Sequence, residues 1–251
     1  MTPAQAIFEE CWPRWQRHFP PDTRLRLGGA RLADLPACAA DMQNFLSADE
    51  LTQYIGFSQG KRRTEWLGGR LTAKWAAERF LAQSAMDWRT LVIKTEKDGR
   101  PYIAPEVRAI PPFISISHSG HMAAALAANL PCGLDIQQPS EKILRVKECF
   151  VNPEEAKVLT ASLPGSFTET HRLTVLWAAK EAVRKAVRAS PLLGLLEIRL
   201  LAGHGASTPQ EPLALTFTSG REPCPANITA LCFLADNLAW AMACPLMITK
   251  E

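Results

Sequence analysis

The stretch TETHRLTVLWAAKEAVRKAVRA, residues 168–189, is a long uninterrupted helical pattern in a chain of 251 residues. At about 100° per residue, Leu173, Leu176, Val183 and Val187 line up as one apolar stripe. Lys180 falls inside that stripe, and Glu181 and Lys185 lie beside it, one turn apart. A surface Glu/Lys pair at this spacing contributes only about 0.2–0.5 kcal/mol. A lysine in a core-facing row is a different matter. Its stem can snorkel, but a charge placed there needs a partner or a ligand. A helix with one such stripe must bury it against another layer, and the segments after it are β-prone: 195–201, 213–218, 228–234 and 238–243, the last two joined at Asp236-Asn237.

The first half has the same rhythm. Leu46-Ser47-Ala48-Asp49-Glu50 forms a capping box, with Ser47 as N-cap and Glu50 three residues on. A second long helix is expected over 61–85, where Trp66, Leu67, Leu71, Trp75 and Phe80 recur at helical spacing. Two short β-prone runs around Asp98-Gly99 read as a hairpin. Phe113 to Ser117 alternates like a half-buried strand, and the length of the Ala-rich run after it favours strands. Helical signals return over 141–161, with a break at Pro164-Gly165, and Ser190-Pro191 ends the 168–189 helix. A long helix followed by strands, twice, predicts an α+β fold made as a duplication of two similar halves, 1–130 and 131–251, although no sequence repeat is visible. The first 45 residues carry no functional reading.

Bulk properties exclude several classes. With 28 basic and 25 acidic residues the balance does not call for nucleic acid. The seven cysteines (11, 38, 132, 149, 224, 232 and 244) form no C-x-x-C pair and no zinc spacing. Scattered in this way they fit small core residues in a reducing cytosol. No signal peptide and no membrane-length apolar run is visible, so a soluble cytoplasmic protein is expected.

Four further segments carry chemistry. In CGLDIQQPS (132–140), strand alternation places Asp135 and Gln137 on one face and Ile136 on the other. That is half of a hard-cation site, or the polar end of a strand entering a turn. In SISHSG (115–120), Ser117 and His118 before a glycine suit either a locally bonded turn or a phosphate contact. A serine hydrolase is disfavoured, because no G-x-S-x-G elbow is present. KTEKDGRP (94–101) sets Lys94, Lys97 and Arg100 around a tight turn. GKRRTEWLGGR (60–70) supplies Lys61, Arg62, Arg63 and Arg70, and its Gly68-Gly69 pair costs a helix roughly 1 kcal/mol per residue against alanine. A close backbone contact would account for keeping it.

Taken in order, GRP (99–101), SISHSG (115–120), GLDI (133–136) and WAAKEAVRKA (177–186) resemble the 4′-phosphopantetheinyl transferases of the larger, monomeric, Sfp-like class, and KRRTEWLGGRLTAKWA (61–76) is similar to that class too. The resemblance covers about 46–190. It implies a pseudo-twofold α+β fold with coenzyme A and Mg²⁺ in the cleft between the halves. It implies an enzyme that moves the 4′-phosphopantetheine arm of CoA onto a serine of an apo acyl or peptidyl carrier protein and releases 3′,5′-ADP. Asp135 and Glu181 would hold Mg²⁺, with Gln137 as a third ligand. Lys185 would offset charge on the transferring phosphate, and Glu181 is also a candidate for the serine proton. His118 with Ser117 would hold CoA phosphates, Arg100 would reach the nucleotide side, and Arg63, Arg70 and Lys180 complete the CoA contacts. Many relatives carry an acid where this chain has Gln137, and Gln53 and Thr95 stand where some carry basic CoA contacts. The 3′-phosphate then falls to Lys61, Arg62, Arg63 or Lys94. The rival readings are a non-catalytic CoA- or carrier-binding module of the same fold and a metal-dependent nuclease or phosphatase. The latter lacks the extra carboxylates of a two-metal site.

Overall fold

The architecture comes from a computed structural model that describes residues 2–36, 39–58, 60–82, 86–104, 110–163, 167–189, 191–205, 212–221 and 227–245. In chain order the elements are α1 (Pro3–Trp15), β1 (Leu25–Arg31), α2 (Ala39–Met42), α3 (Ala48–Gly56), α4 (Lys61–Leu81), β2 (Ile93–Thr95), β3 (Pro101–Ile103), β4 (Phe113–Ser119), β5 (Met122–Ala128), β6 (Gly133–Gln137), α5 (Lys142–Arg145), α6 (Pro153–Ser162), α7 (Glu169–Val187), β7 (Ile198–His204), β8 (Leu213–Ser219), β9 (Ile228–Ala235) and β10 (Leu238–Ala243). The fold is α+β. Two compact units share it: residues 1–5 with 24–130, and residues 6–23 with 131–251.

In the first unit β5 is the central strand, antiparallel to β1 on one side and β4 on the other. The β2–β3 hairpin turns at Gly99 (φ 91°), and β3 runs beside β4. Every residue of β5 is buried, and α4 lies across one face of the sheet, against Ala123, Ala125 and Ala127. The Gly68-Gly69 pair is what lets it lie so close. A Cβ on Gly68 would stand 2.7 Å from Leu32 Cδ2 and 2.8 Å from the Ala123 Cβ, and one on Gly69 would stand 2.9 Å from Ile116 Cγ2. The helix-propensity cost is offset by that contact. Ala73, Ala76 and Ala77 continue the small face against Leu91, Ile93, Ile103 and Ile114. At the start of α3 the Ser47/Glu50 capping box forms as expected.

The second unit holds a five-stranded antiparallel sheet in the order β6-β10-β9-β8-β7. The β9–β10 connection puts Asp236 (φ 53°) and Asn237 (φ 57°) in the left-handed region, the two-residue hairpin that their identities favour. Helix α7 packs over β6, β10 and β9. Its approach is closest at Gly133, where any Cβ would overlap the Ala182 carbonyl oxygen. Thr168 caps its N-terminus, and Arg188 in the left-handed conformation (φ 54°) closes it before the proline. Trp15 of α1 packs against Phe233 of β9 within this unit, the ring centroids 5.4 Å apart and the planes tilted by 34°.

Boundaries depart from the sequence expectation in small ways. Helix α4 stops at Leu81, with Ala82 left-handed, and β7 begins at Ile198 because residues 195–197 form a turn. Pro164-Gly165 and Ser190 lie outside the described residues, as do Cys38 and Cys224. Cys11, Cys132, Cys232 and Cys244 are buried and Cys149 is exposed. Burial pushes the Cys132 thiol up to about 12, so it stays protonated and inert at neutral pH. Among the described residues no helix is long and apolar enough to cross a membrane.

The glycine contacts make a paired prediction. Gly133→Ala should lower the unfolding free energy by about 1–3 kcal/mol through overpacking. Gly56→Ala, at a site where an added Cβ meets nothing within 4 Å, should be neutral or stabilising by up to about 1 kcal/mol. Urea denaturation of both variants reads the difference.

Candidate active site

Strand β6 and helix α7 build the centre of the site, within the second unit. Alternation along β6 buries Leu134 and Ile136 in the core and turns Asp135 and Gln137 to the other face. Asp135 is 7% exposed and Gln137 is half-buried. Helix α7 brings Lys185 to the strand: its ammonium stands 2.8 Å from Asp135 Oδ1 and donates to the Leu134 carbonyl at 2.8 Å. One turn earlier on the same helix is Glu181, 9% exposed, with its Oε2 accepting from the Arg184 guanidinium at 2.7 Å.

These groups lie close enough to act on one another's charge. Burial raises the Glu181 carboxyl above its usual range. The positive charges of Arg184 and Lys185 work against that shift, and the negative charge of Asp135 adds to it. The two carboxylates therefore feel each other, as acids on neighbouring elements do when they converge on one point. Each is balanced by a cation of its own helix partner set, Asp135 by Lys185 and Glu181 by Arg184. Two carboxylates, an amide oxygen and two part-exposed cations are residue types able to hold a phosphate and a hard cation together. No group of three or more His, Cys, Asp or Glu that could hold a metal occurs among the described residues.

Lys180 is a correction. It was expected among the CoA contacts, but its side chain has no exposed surface and reaches inward. Its ammonium stands 2.7 Å from Glu155 Oε1 and donates to the carbonyls of Phe150 (2.6 Å) and Leu195 (3.1 Å). All three donors are used inside the protein. Burial pulls its pKa below the usual lysine range, and the Glu155 carboxylate opposes that pull.

The first unit presents the other predicted residues. His118 and Ser117 sit side by side on β4 but face opposite ways. Ser117 is buried, whereas the His118 ring is half in solvent with Nδ1 3.5 Å from Glu65 Oε1 of α4. Along α4, Arg62 lies over the Phe57 ring, Arg63 over Tyr54 at 4.1 Å and Arg70 over Trp66 at 4.8 Å. These aromatic faces hold planar guanidinium groups in fixed orientations. The Nε groups of Arg63 and Arg70 are buried without a hydrogen-bond partner among the described residues. Arg100 pairs with Asp98 at 3.4 Å across the hairpin turn.

Arg184, Glu65 and Glu155 were not singled out from sequence. Arg184 follows Glu181 at a favourable i+3 spacing, yet an arginine so placed on a helix is ordinary. Glu155 did carry a signal, as the third helical residue after Asn152-Pro153, where it closes a capping box.

An acid at a strand end beside a helix that offers a second acid and a lysine supplies residue types that phosphoryl chemistry uses, where positioning and charge neutralisation dominate. The sequence profile of the 4′-phosphopantetheinyl transferase superfamily matches residues 131–224, which contain both elements. Over 86 residues, a third of this chain, it is 33% identical to a holo-[acyl-carrier-protein] synthase of Staphylococcus carnosus and covers 72% of that protein. It is 32% identical over 94 residues to the synthase of the same name from Pelodictyon phaeoclathratiforme, covering 76% of it. Among solved structures, a holo-(acyl-carrier-protein) synthase from Bacillus anthracis in complex with CoA (3′,5′-ADP) shares 22% identity at a TM-score of 0.38, covering 41% of this chain and 92% of that one. The chain belongs to the 4′-phosphopantetheinyl transferase superfamily. It is a phosphopantetheinyl transferase enzyme.

The two lysines of α7 should separate on mutation. Lys180→Ala leaves Glu155 buried without its cation and should cost about 3–5 kcal/mol of stability. Lys185→Ala, at the solvent side, should cost about 1–2 kcal/mol. Equal losses in chemical denaturation would contradict the assignment of Lys180 to the core and Lys185 to the site.

Proposed function

We propose that this enzyme transfers the 4′-phosphopantetheine arm of coenzyme A to a serine hydroxyl of an apo acyl or peptidyl carrier protein, with Mg²⁺ as cofactor, releasing 3′,5′-ADP. The observation that carries the reading is the convergence of Asp135, Glu181 and Lys185 on one point between β6 and α7. In the reaction the serine oxygen bonds to the phosphorus that bears the pantetheine. The P–O bond to the departing 3′,5′-ADP breaks, and the serine proton passes to a base.

The donor set fits Mg²⁺, which takes oxygen ligands and keeps several waters. Asp135 and Glu181 would hold it, with the Gln137 amide oxygen as a neutral ligand or as the partner of a bound water. When bound, Mg²⁺ supplies positive charge to the diphosphate. Lys185, already within reach of Asp135, neutralises the transferring phosphate from the protein side. Burial makes the Glu181 carboxylate a better proton acceptor than a surface glutamate, which suits it to draw the serine proton directly or through water. His118 and Arg100 serve as phosphate and nucleotide contacts, whereas the Ser117 side chain is buried on the opposite face of β4. Arg63 and Arg70, held flat against Tyr54 and Trp66, offer preset forks to a phosphate.

We also propose that the chain is a pseudo-twofold duplication of halves 1–130 and 131–251 acting as a monomer. Each unit runs in the order strand, capped helix, long helix, four strands, and the last strand of each pairs with its first. In each, the third helical residue of the capping box takes an ammonium from the long helix, Glu50 from Lys74 and Glu155 from Lys180.

Incubation with CoA, Mg²⁺ and a panel of apo carrier proteins should add the mass of the arm to at least one carrier. Asp135→Ala and Glu181→Ala should each lower kcat about 100-fold or more. Normal turnover by Glu181→Ala would remove this site from the reaction. Gln137→Glu adds a charge to the donor set and should keep or strengthen Mg²⁺ dependence. Loss of activity in that variant would give the amide a role that metal ligation does not explain.

A further inference from the structure

Among the described residues two lysines are fully buried, and the reaction as proposed uses neither. Lys180 of α7 is bound by Glu155 and by the carbonyls of Phe150 and Leu195. Lys74 of α4 is bound by Glu50 Oε2 at 2.7 Å and by the Trp88 carbonyl at 2.7 Å, with the side chains 0% and 1% exposed. The acids are tied down as firmly. Glu155 accepts from the Asn152 N–H that it caps and from the Leu200 N–H of β7. Glu50 accepts from the Ser47 N–H and from the Ile93 N–H of β2. Each pair therefore joins a helix start, the next long helix and the first strand after it.

This is an expensive way to hold a core together. Desolvating two ions costs several kcal/mol per ion, and a buried pair is often no more stable than apolar residues of the same volume. What it supplies is geometry. An ammonium with two or three fixed acceptors, as Lys74 and Lys180 have, restricts the rotation of its helix far more than an apolar stripe of Ala and Val, which tolerates small rotations and slips. The side chains that gain are close by. Glu181 follows Lys180 directly, and Lys185 lies five residues on. On α4, Arg70 is one turn before Lys74, and Arg63 is three turns before it, on nearly the same face. Arg70 lies within the field of Glu50, whose charge opposes the effect of burial on that guanidinium.

We propose that the Glu155–Lys180 and Glu50–Lys74 pairs are matched positioning clamps. The first sets the rotation of α7 and so aims Glu181 and Lys185 at Asp135. The second sets the rotation of α4 and so aims Arg63 and Arg70 at the anionic groups of CoA. The inference rests on the transferase reading given above. A misplacement of about 1 Å in such groups can cost about 100-fold in rate.

The test uses two paired variants, Glu155→Gln/Lys180→Met and Glu50→Gln/Lys74→Met. Glutamine can keep the capping-box bond through its one amide oxygen, giving up the bond to the Leu200 or Ile93 N–H, and methionine keeps the stem, so neither variant leaves a lone buried charge. Near-ultraviolet circular dichroism selects conditions in which both are folded. The Glu155/Lys180 variant should lose kcat about tenfold or more while the KM for CoA stays within about twofold. The Glu50/Lys74 variant should show the reverse, a KM for CoA raised about tenfold with kcat nearly kept. Calorimetric titration with CoA, with and without Mg²⁺, should show weaker binding in the second variant and a smaller Mg²⁺ effect in the first. Lys180→Arg, which keeps the cation, should recover part of the lost kcat. Wild-type kcat and KM in both folded variants would overturn the proposal, and so would the same mixed loss in both. A wild-type protein that modifies no carrier would instead overturn the transferase reading, and the calorimetric arm would then decide the clamps alone.

Discussion

A charge sealed into an α/β core without a counter-charge is among the most costly features a fold can carry, and this fold accepts that risk twice. The Lys180–Glu155 contact has helix α7, the start of α6 and strand β7 meeting at one point. Once α7 is fixed there, Gly133 permits β6 to lie directly beneath Ala182, and Asp135 arrives next to Lys185. The polar centre of the site is thus a consequence of the apolar packing around it. Small residues at the contact line bring helix and strand close enough for a 2.8 Å bond between their side chains.

The chemistry depends on charges that are balanced but not saturated. Asp135 and Glu181 each have one cation at hand, and both cations keep part of their surface in solvent. Such pairs rearrange at modest cost. By contrast, the buried Lys180 and Lys74 pairs would cost far more to open. The same residue type therefore does different work a few positions apart: Lys180 is fixed in the core, and Lys185, partly in solvent, holds Asp135 at the end of β6.

Most of the fold was legible in the sequence, because it is written in periodicity. The strand over Phe113 to Ser117, the Asp98-Gly99 and Asp236-Asn237 turns and the Ser47/Glu50 box each act locally, and each formed where expected. The strand is not half-buried in alternation, however: Ser115 and Ser117 are buried while Phe113 is exposed. The Gly68-Gly69 pair showed as an anomaly whose cause, the contacts with Ala123 and Ile116, is long-range and could only be stated as a need. The motifs singled out Asp135, Glu181 and Lys185, but the direct ion pair of Asp135 with Lys185 was not expected from them. The fate of Lys180 was not. The wheel placed it in the apolar stripe and demanded a partner, but a helical wheel shows direction and not what lies there. Glu155 comes from another helix, and no local pattern links the two. Arg184 was missed for the opposite reason, since nothing local sets it apart from an ordinary surface arginine.

The account stands on Asp135, Glu181 and Lys185 acting as one site for a cation and the CoA diphosphate. Phosphorus NMR of CoA in the presence of the protein and sub-stoichiometric Mn²⁺, a paramagnetic substitute for Mg²⁺, tests that directly. The diphosphate resonances should broaden strongly with the wild-type protein, more than the 3′-phosphate resonance. The extra broadening should vanish in Asp135→Asn and in Glu181→Gln. Undiminished broadening in both variants would place the cation elsewhere and contradict the account.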